Sequence, residues 1–141
     1  MKMSERRILL VEDNPADAWL IKEALRRRSL TCHLDHYLTA EDAIRAVALE
    51  GIDGTSVPDL ILLDYNLPGG HGVDILAAAT KNSNLHSVPK AVVSSSLMPD
   101  EVSHARSLGA SCFIHKPANL NEFFDEIGSK IAELLEGRRV P

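Results

Sequence analysis

Glu12 and Asp13, Asp64, Ser94 and Lys116 each stand at the end of a short apolar run: Ile8–Val11, Leu60–Leu63, Ala91–Val93 and Cys112–Ile114. If those runs are strands of one open parallel sheet, the polar groups converge outside its carboxyl edge, where such sheets bind their ligands. Three carboxylates brought together raise one another's pKa and call for a cation. Oxygen-only ligands with room for water suit Mg²⁺, whereas zinc would want His or Cys. A metal, a lysine and a hydroxyl around a carboxylate point to phosphoryl transfer, in which the protein mainly positions groups and neutralises charge. An aspartate can itself be the nucleophile, forming an acyl phosphate. Asp64, the acid after a central strand, takes that role in this reading. Asp13 would hold the metal directly and Glu12 mainly through water, while Lys116 and Ser94 would receive the phosphoryl oxygens.

Taken singly, each of these residues has a plainer explanation. Asp13 or Asn14 alone is more often a helix cap than a metal ligand. Asp64 could open a loop, Ser94 could form a turn, and Lys116 could be a solvated surface lysine. Their coincidence behind four strands favours the site over the separate explanations.

The elements that would position these groups are legible in the pattern. The four apolar runs read as buried parallel strands. Thr31–Tyr37 alternates, with Cys32, Leu34 and His36 on one side, and reads as an edge strand. Between the strands lie segments of helical period. The clearest is the last, where Leu120, Phe123, Phe124, Ile127, Ile131, Leu134 and Leu135 form one apolar stripe behind an Asn119 cap with Glu122 three residues on. Asn14-Pro15, Thr39 ahead of Glu41 and Asp42, and Pro99-Asp100-Glu101 mark other helix starts. Five strand–helix pairs follow, which require right-handed crossovers and a parallel sheet with helices on both faces. The turn-rich stretch Gly51–Pro58 is expected to be an extended loop before the third strand.

Composition narrows the function classes. The 141 residues suit a single core, and 45% apolar with 25% charged residues is ordinary for a globular chain. A balance of 15 basic against 20 acidic residues, net −5, lacks the footprint of a nucleic-acid binder. No apolar stretch approaches transmembrane length and no signal-like segment opens the chain, so a cytoplasmic location without membrane contact is expected. Cys32 and Cys112 lack ligand spacing and are expected to be structural.

The chain resembles the receiver domains of two-component response regulators over nearly its whole length. The motifs are Ile8-Leu-Leu-Val-Glu-Asp-Asn-Pro15, Leu62-Leu-Asp-Tyr-Asn-Leu-Pro68 with Gly72, Val92-Val-Ser-Ser-Ser96, and Gly109-Ala110 leading to Lys116-Pro117. The resemblance implies an α/β, flavodoxin-like (βα)5 doubly wound sheet of strand order 2-1-3-4-5. It implies a receiver domain over residues 5–136, a short tail over 137–141 and no output domain. It further implies Mg²⁺ held by Glu12, Asp13, Asp64 and the Asn66 backbone carbonyl, a cis peptide at Lys116-Pro117, structural roles for Pro68 and Gly72, and Ser94 and Phe113 as the switch pair. Phe113 lacks the hydroxyl of the Tyr often found there, Ser94 stands where Thr is commoner, and His71 replaces a frequent Asp. The chain resembles stand-alone, chemotaxis-regulator-like receivers, and the Asn14–Asp17 start, the loop near Gly54 and the Ser94–Ser96 run resemble the single-domain regulators that partner bacterial phytochrome kinases. The implied function is that of a phosphoacceptor acting only on itself. It would take its phosphoryl group from a sensor histidine kinase or phosphotransfer protein, then signal through the α4-β5-α5 face to a separate, unidentified target or to a second copy of itself.

Three rivals predict different things. A flavodoxin-type carrier needs a hydroxyl- and Gly-rich phosphate loop after the first strand, where this chain places acids. An aspartyl-phosphate hydrolase wants a second Asp two residues past the nucleophile, where Asn66 stands. A phosphorylation-independent scaffold would tolerate the loss of Asp13, Asp64 or Lys116, and all are present.

Overall fold

The computed structural model describes residues 5–67, 70–96 and 98–137. Five strands, β1 (Arg6–Val11), β2 (Cys32–Tyr37), β3 (Leu60–Asp64), β4 (Lys90–Ser94) and β5 (Cys112–His115), alternate with five helices. The helices are α1 (Pro15–Arg27), α2 (Ala40–Leu49), α3 (Gly72–Thr80), α4 (Pro99–Ser107) and α5 (Leu120–Leu135). All strand pairs of this sheet are parallel, in the order β2-β1-β3-β4-β5. That is the order implied by the resemblance, with the alternating Cys32–Tyr37 strand at an edge.

The strands read as continuous apolar runs because both faces of the sheet are covered. Ile8, Leu10, Leu60, Leu62, Ala91, Val93, Cys112 and Ile114 point to one face and pack with α1 and α5 through Ile21, Phe123, Ile127 and Ile131. Leu9, Val11, Ile61, Leu63 and Val92 point to the other and pack with α2, α3 and α4 through Val47, Ile75, Leu76 and Ala105. Burying one such aliphatic side chain stabilises by ~1.5–3 kcal/mol, so the two apolar layers anchor the strand ends that carry the site.

Local signals set the helix starts. Asn14 caps α1, its Oδ1 accepting from the Ala16 N–H at 2.9 Å, with Pro15 in the first helical position. Thr39 caps α2 through the Asp42 N–H at 3.2 Å, and Asn119 caps α5 through the Glu122 N–H at 3.1 Å. At α4 the Glu101 carboxylate reaches back to accept from the Met98 N–H at 3.1 Å.

Two features depart from the sequence reading. The stretch from Gly51 is not wholly extended: Ile52–Gly54 forms one 3₁₀ turn, entered through Gly51 at φ 76. Asn66–Leu67 and Gly70–His71 pair as a short antiparallel ribbon between β3 and α3, which two-residue segments give no periodicity to reveal. The expected structural residue Pro68 lies outside the described residues. Among those residues no helix is long and apolar enough to cross a membrane.

Candidate functional site

The parallel register carries the site. Val11 is level with Leu63 and Asp64 with Val93, so the loop after β1, the last residue of β3 and the loop after β5 open at one edge of the sheet. Lys116 is fixed just past β5 by its own N–H, which donates to the Ser94 carbonyl at 2.9 Å. Its side chain runs back across the edge. The ammonium donates to Glu12 Oε1 at 2.6 Å, to Asp17 Oδ2 at 3.0 Å and to Asp64 Oδ2 at 3.1 Å.

Glu12 is the most buried member at 1% exposed, and its backbone carbonyl accepts from the His36 Nε2–H at 2.7 Å. Burial pushes its carboxyl up to about 8, with the nearby Asp64 adding to the rise and the Lys116 ammonium opposing it. Burial alone would lower the Lys116 pKa, but Glu12, Asp64 and Asp17 outweigh it and hold the ammonium above the ordinary lysine range. Asp64 is further oriented by the Asn66 N–H, which donates to its Oδ1 at 3.1 Å.

One carboxylate oxygen each from Glu12, Asp13 and Asp64 lies within 4.8 Å of the others. An all-oxygen set of this kind fits a hard divalent cation. Glu12, Asp17 and Asp64 share one ammonium and Asp13 lies beside Glu12 and Asp64, so the formal charge still favours a further cation.

Of the residues singled out from sequence, Glu12, Asp13, Asp64 and Lys116 come together. Ser94 does not join them: it is 1% exposed, but its hydroxyl donates to the Ser96 carbonyl at 2.9 Å and accepts from the Ser96 N–H at 3.1 Å. Phe113 is half-buried on β5, facing the α4 layer, with the Arg106 guanidinium 5.0 Å from its ring centroid. Gly72 begins α3, where a Cβ would meet Leu63 Cδ1 at 2.6 Å and the Asp64 carbonyl at 2.7 Å. The Lys116–Pro117 bond is trans, correcting the cis expectation: no described peptide bond is cis. Trans is the intrinsic preference before proline, by ~0.5–1 kcal/mol, and in that form both the Lys116 N–H and its ammonium are already paired.

Asp17 is the site residue that sequence reasoning missed. In the pattern it is simply an acid in the first turn of α1, where carboxylates favour the helix dipole. A signal existed, since that turn lies at the same sheet edge as the strand-end acids.

The model for the response regulator receiver domain matches residues 8–128. Response regulator Rcp1 of Synechocystis is 36% identical over 122 residues, covering 83% of this chain and 80% of Rcp1. Two-component response regulator ARR17 of Arabidopsis thaliana is 31% identical, covering 84% and 80%. Among solved structures, the phosphorylated cyanobacterial phytochrome response regulator RcpA superposes with a TM-score of 0.84 at 34% identity, over 98% of this chain and 99% of RcpA. The Mn²⁺-bound form of Rcp1 gives 0.81 at 31% identity, over 96% and 99%. The family model spans most of the chain and the fold and length coincide with those of its relatives, so the chain belongs to the response-regulator receiver family of two-component signalling.

Proposed function

We propose that Asp64 accepts a phosphoryl group from a phosphohistidine of a sensor kinase or phosphotransfer protein. The observation that carries this reading is the Asp64 carboxylate at a strand end, 3.1 Å from the Lys116 ammonium and beside Glu12 and Asp13. An Asp64 oxygen attacks phosphorus, the new O–P bond forms as the P–N bond breaks, and the imidazole leaves with the electron pair. The Lys116 ammonium follows the phosphoryl oxygens and holds the charge they carry. Glu12, Asp13, Asp64 and the Asn66 carbonyl would hold a divalent cation, which when bound supplies further positive charge beside those oxygens. Mg²⁺ is the ion that an oxygen set sharing its shell with phosphate suits, and the Mn²⁺-bound state of Rcp1 supports a divalent ion here.

Acetyl phosphate should therefore label Asp64 in a Mg²⁺-dependent manner, read by intact-protein and peptide mass spectrometry. Asp64→Asn should carry no label. An adduct of equal yield in that variant, or one located on Ser94, would exclude the mechanism.

Output follows from the same electrostatics. Phosphorylation adds charge and acceptor oxygens, so Ser94 gives up its turn with Ser96 and moves with Lys116 toward Asp64. The loop after Ser96 then shifts, and Phe113 repacks between β5 and α4. The α4-β5-α5 face becomes the contact for a separate target or a second copy. Phytochrome kinases are the donor class that the likeness to RcpA supports, and a cytoplasmic location belongs to the same reading. NMR shifts of the protein with and without beryllofluoride should spread from the pocket to Phe113 and along α4, and changes confined to the pocket would sink the output half of this reading.

A further inference from the structure

We propose that Asp17 is a positioning residue that holds one N–H of Lys116 before phosphoryl transfer and surrenders it to a phosphoryl oxygen, acting as a brake on phosphorylation. The inference rests on Asp64 being the acceptor. An ammonium has three N–H groups, and here Glu12, Asp17 and Asp64 take all of them, at 2.6, 3.0 and 3.1 Å. An incoming phosphoryl oxygen finds none free, so one of these contacts must open.

The three partners are not equivalent. The Glu12 side chain is 2% exposed and that of Asp64 12%, whereas that of Asp17 is 29% exposed. Water reaches Asp17 most easily, so its contact costs least to break. Asp17 also has somewhere to go: it sits in the first turn of α1, where the helix dipole stabilises a carboxylate without the lysine. Glu12 lacks that exit. Opening it would strand a carboxylate enclosed in the protein. Asp64 keeps its place near the ammonium because it carries the arriving group.

The test uses the full chain with phosphoramidate, whose P–N bond breaks as the Asp64 O–P bond forms and ammonia leaves. Asp17→Asn should raise the second-order labelling rate by about five-fold, the upper range for removing one partly exposed ion pair. Asp17→Glu, which restores a carboxylate of sufficient reach, should return the rate toward wild type. In a Lys116→Met background, where there is no ammonium to free, the gain from Asp17→Asn should vanish. An unchanged rate in Asp17→Asn overturns the proposal while leaving Asp64 as acceptor. So does a gain that survives without Lys116, which would mean simple long-range charge relief. If wild-type Asp64 is not labelled at all, the acceptor reading fails and this inference with it.

Discussion

Lys116→Met should lower the folding stability of the chain by about 3 kcal/mol at pH 9 in the presence of a chelator, and Mg²⁺ should restore much of the loss. The methionine keeps the aliphatic stem but removes the ammonium that three carboxylates share. Glu12, buried behind β1, is left without its cation. Its simplest relief is to take a proton, and the sign of the pH dependence follows from that. The Glu12 carboxyl already sits at about 8 in the folded chain, above the ordinary carboxylate value of 4.5, because burial raises it and Lys116 only partly opposes. Without Lys116 it rises further. A carboxyl raised on folding supports the fold below its unfolded pKa, and that support is lost as pH climbs toward the folded value. Below pH 8 both forms hold Glu12 protonated and lose stability alike, so the variant should match wild type most closely near pH 6 and fall furthest behind at pH 9, where Lys116 lets wild-type Glu12 ionise. Divalent cation offers the same carboxylates a second counter-charge, so the variant should also bind Mg²⁺ more tightly than wild type. Urea midpoints at both pH values, with chelator and with Mg²⁺, read all of this. Equal midpoints at pH 9 in chelator would mean that the ion cluster is not an energetic unit.

The same cluster shows what a sequence can and cannot carry. The strands were legible because Leu9, Leu10, Leu62 and Leu63 are buried on alternate sides of a sheet covered on both faces, which leaves an uninterrupted apolar signature. The helix starts were legible because Asn14, Thr39 and Asn119 satisfy their own helix N–H groups within three residues. Glu12, Asp13, Asp64 and Lys116 were legible as a group because each terminates a strand of one parallel sheet, and parallel register converts strand ends into neighbours. What was hidden is pairwise. Asp17 meets Lys116 across 99 positions of chain, and nothing local distinguishes it from an ordinary first-turn acid. Ser94 was placed correctly, but its preference for Ser96 is a choice among turn partners that composition does not reveal. The acids were expected to need a counter-charge, and Lys116 meets part of that need, so a divalent cation would draw on the same carboxylates as the lysine, which a list of residues does not disclose.

Gly72→Ala should cost about 2 kcal/mol or more of stability and slow phosphoryl transfer to Asp64 beyond what the lost stability explains. Nothing about backbone conformation forbids a side chain here; the reason is space. An added Cβ would stand 2.6 Å from Leu63 Cδ1, 2.7 Å from the Asp64 carbonyl oxygen and 3.2 Å from Tyr65 Cα. Leu63 is fully buried on the α2–α3 face, so its methyl has little freedom to withdraw. The other two atoms are backbone, and they belong to Asp64, the proposed acceptor, and its neighbour. The Gly72 N–H also donates to the Tyr65 carbonyl at 2.7 Å, so the start of α3 and the end of β3 are tied together at the point where the methyl would force them apart. Moving them apart rotates the Asp64 peptide, and with it the carboxylate that Lys116 and the Asn66 N–H now orient. A displacement of even ~1 Å at a reacting group can cost on the order of 10²-fold in rate. Two measurements separate the effects: thermal or urea unfolding for stability, and acetyl phosphate labelling under conditions where the variant is fully folded. Labelling at the wild-type rate in a folded but destabilised Gly72→Ala would show that the glycine serves packing alone and leaves the acceptor geometry untouched.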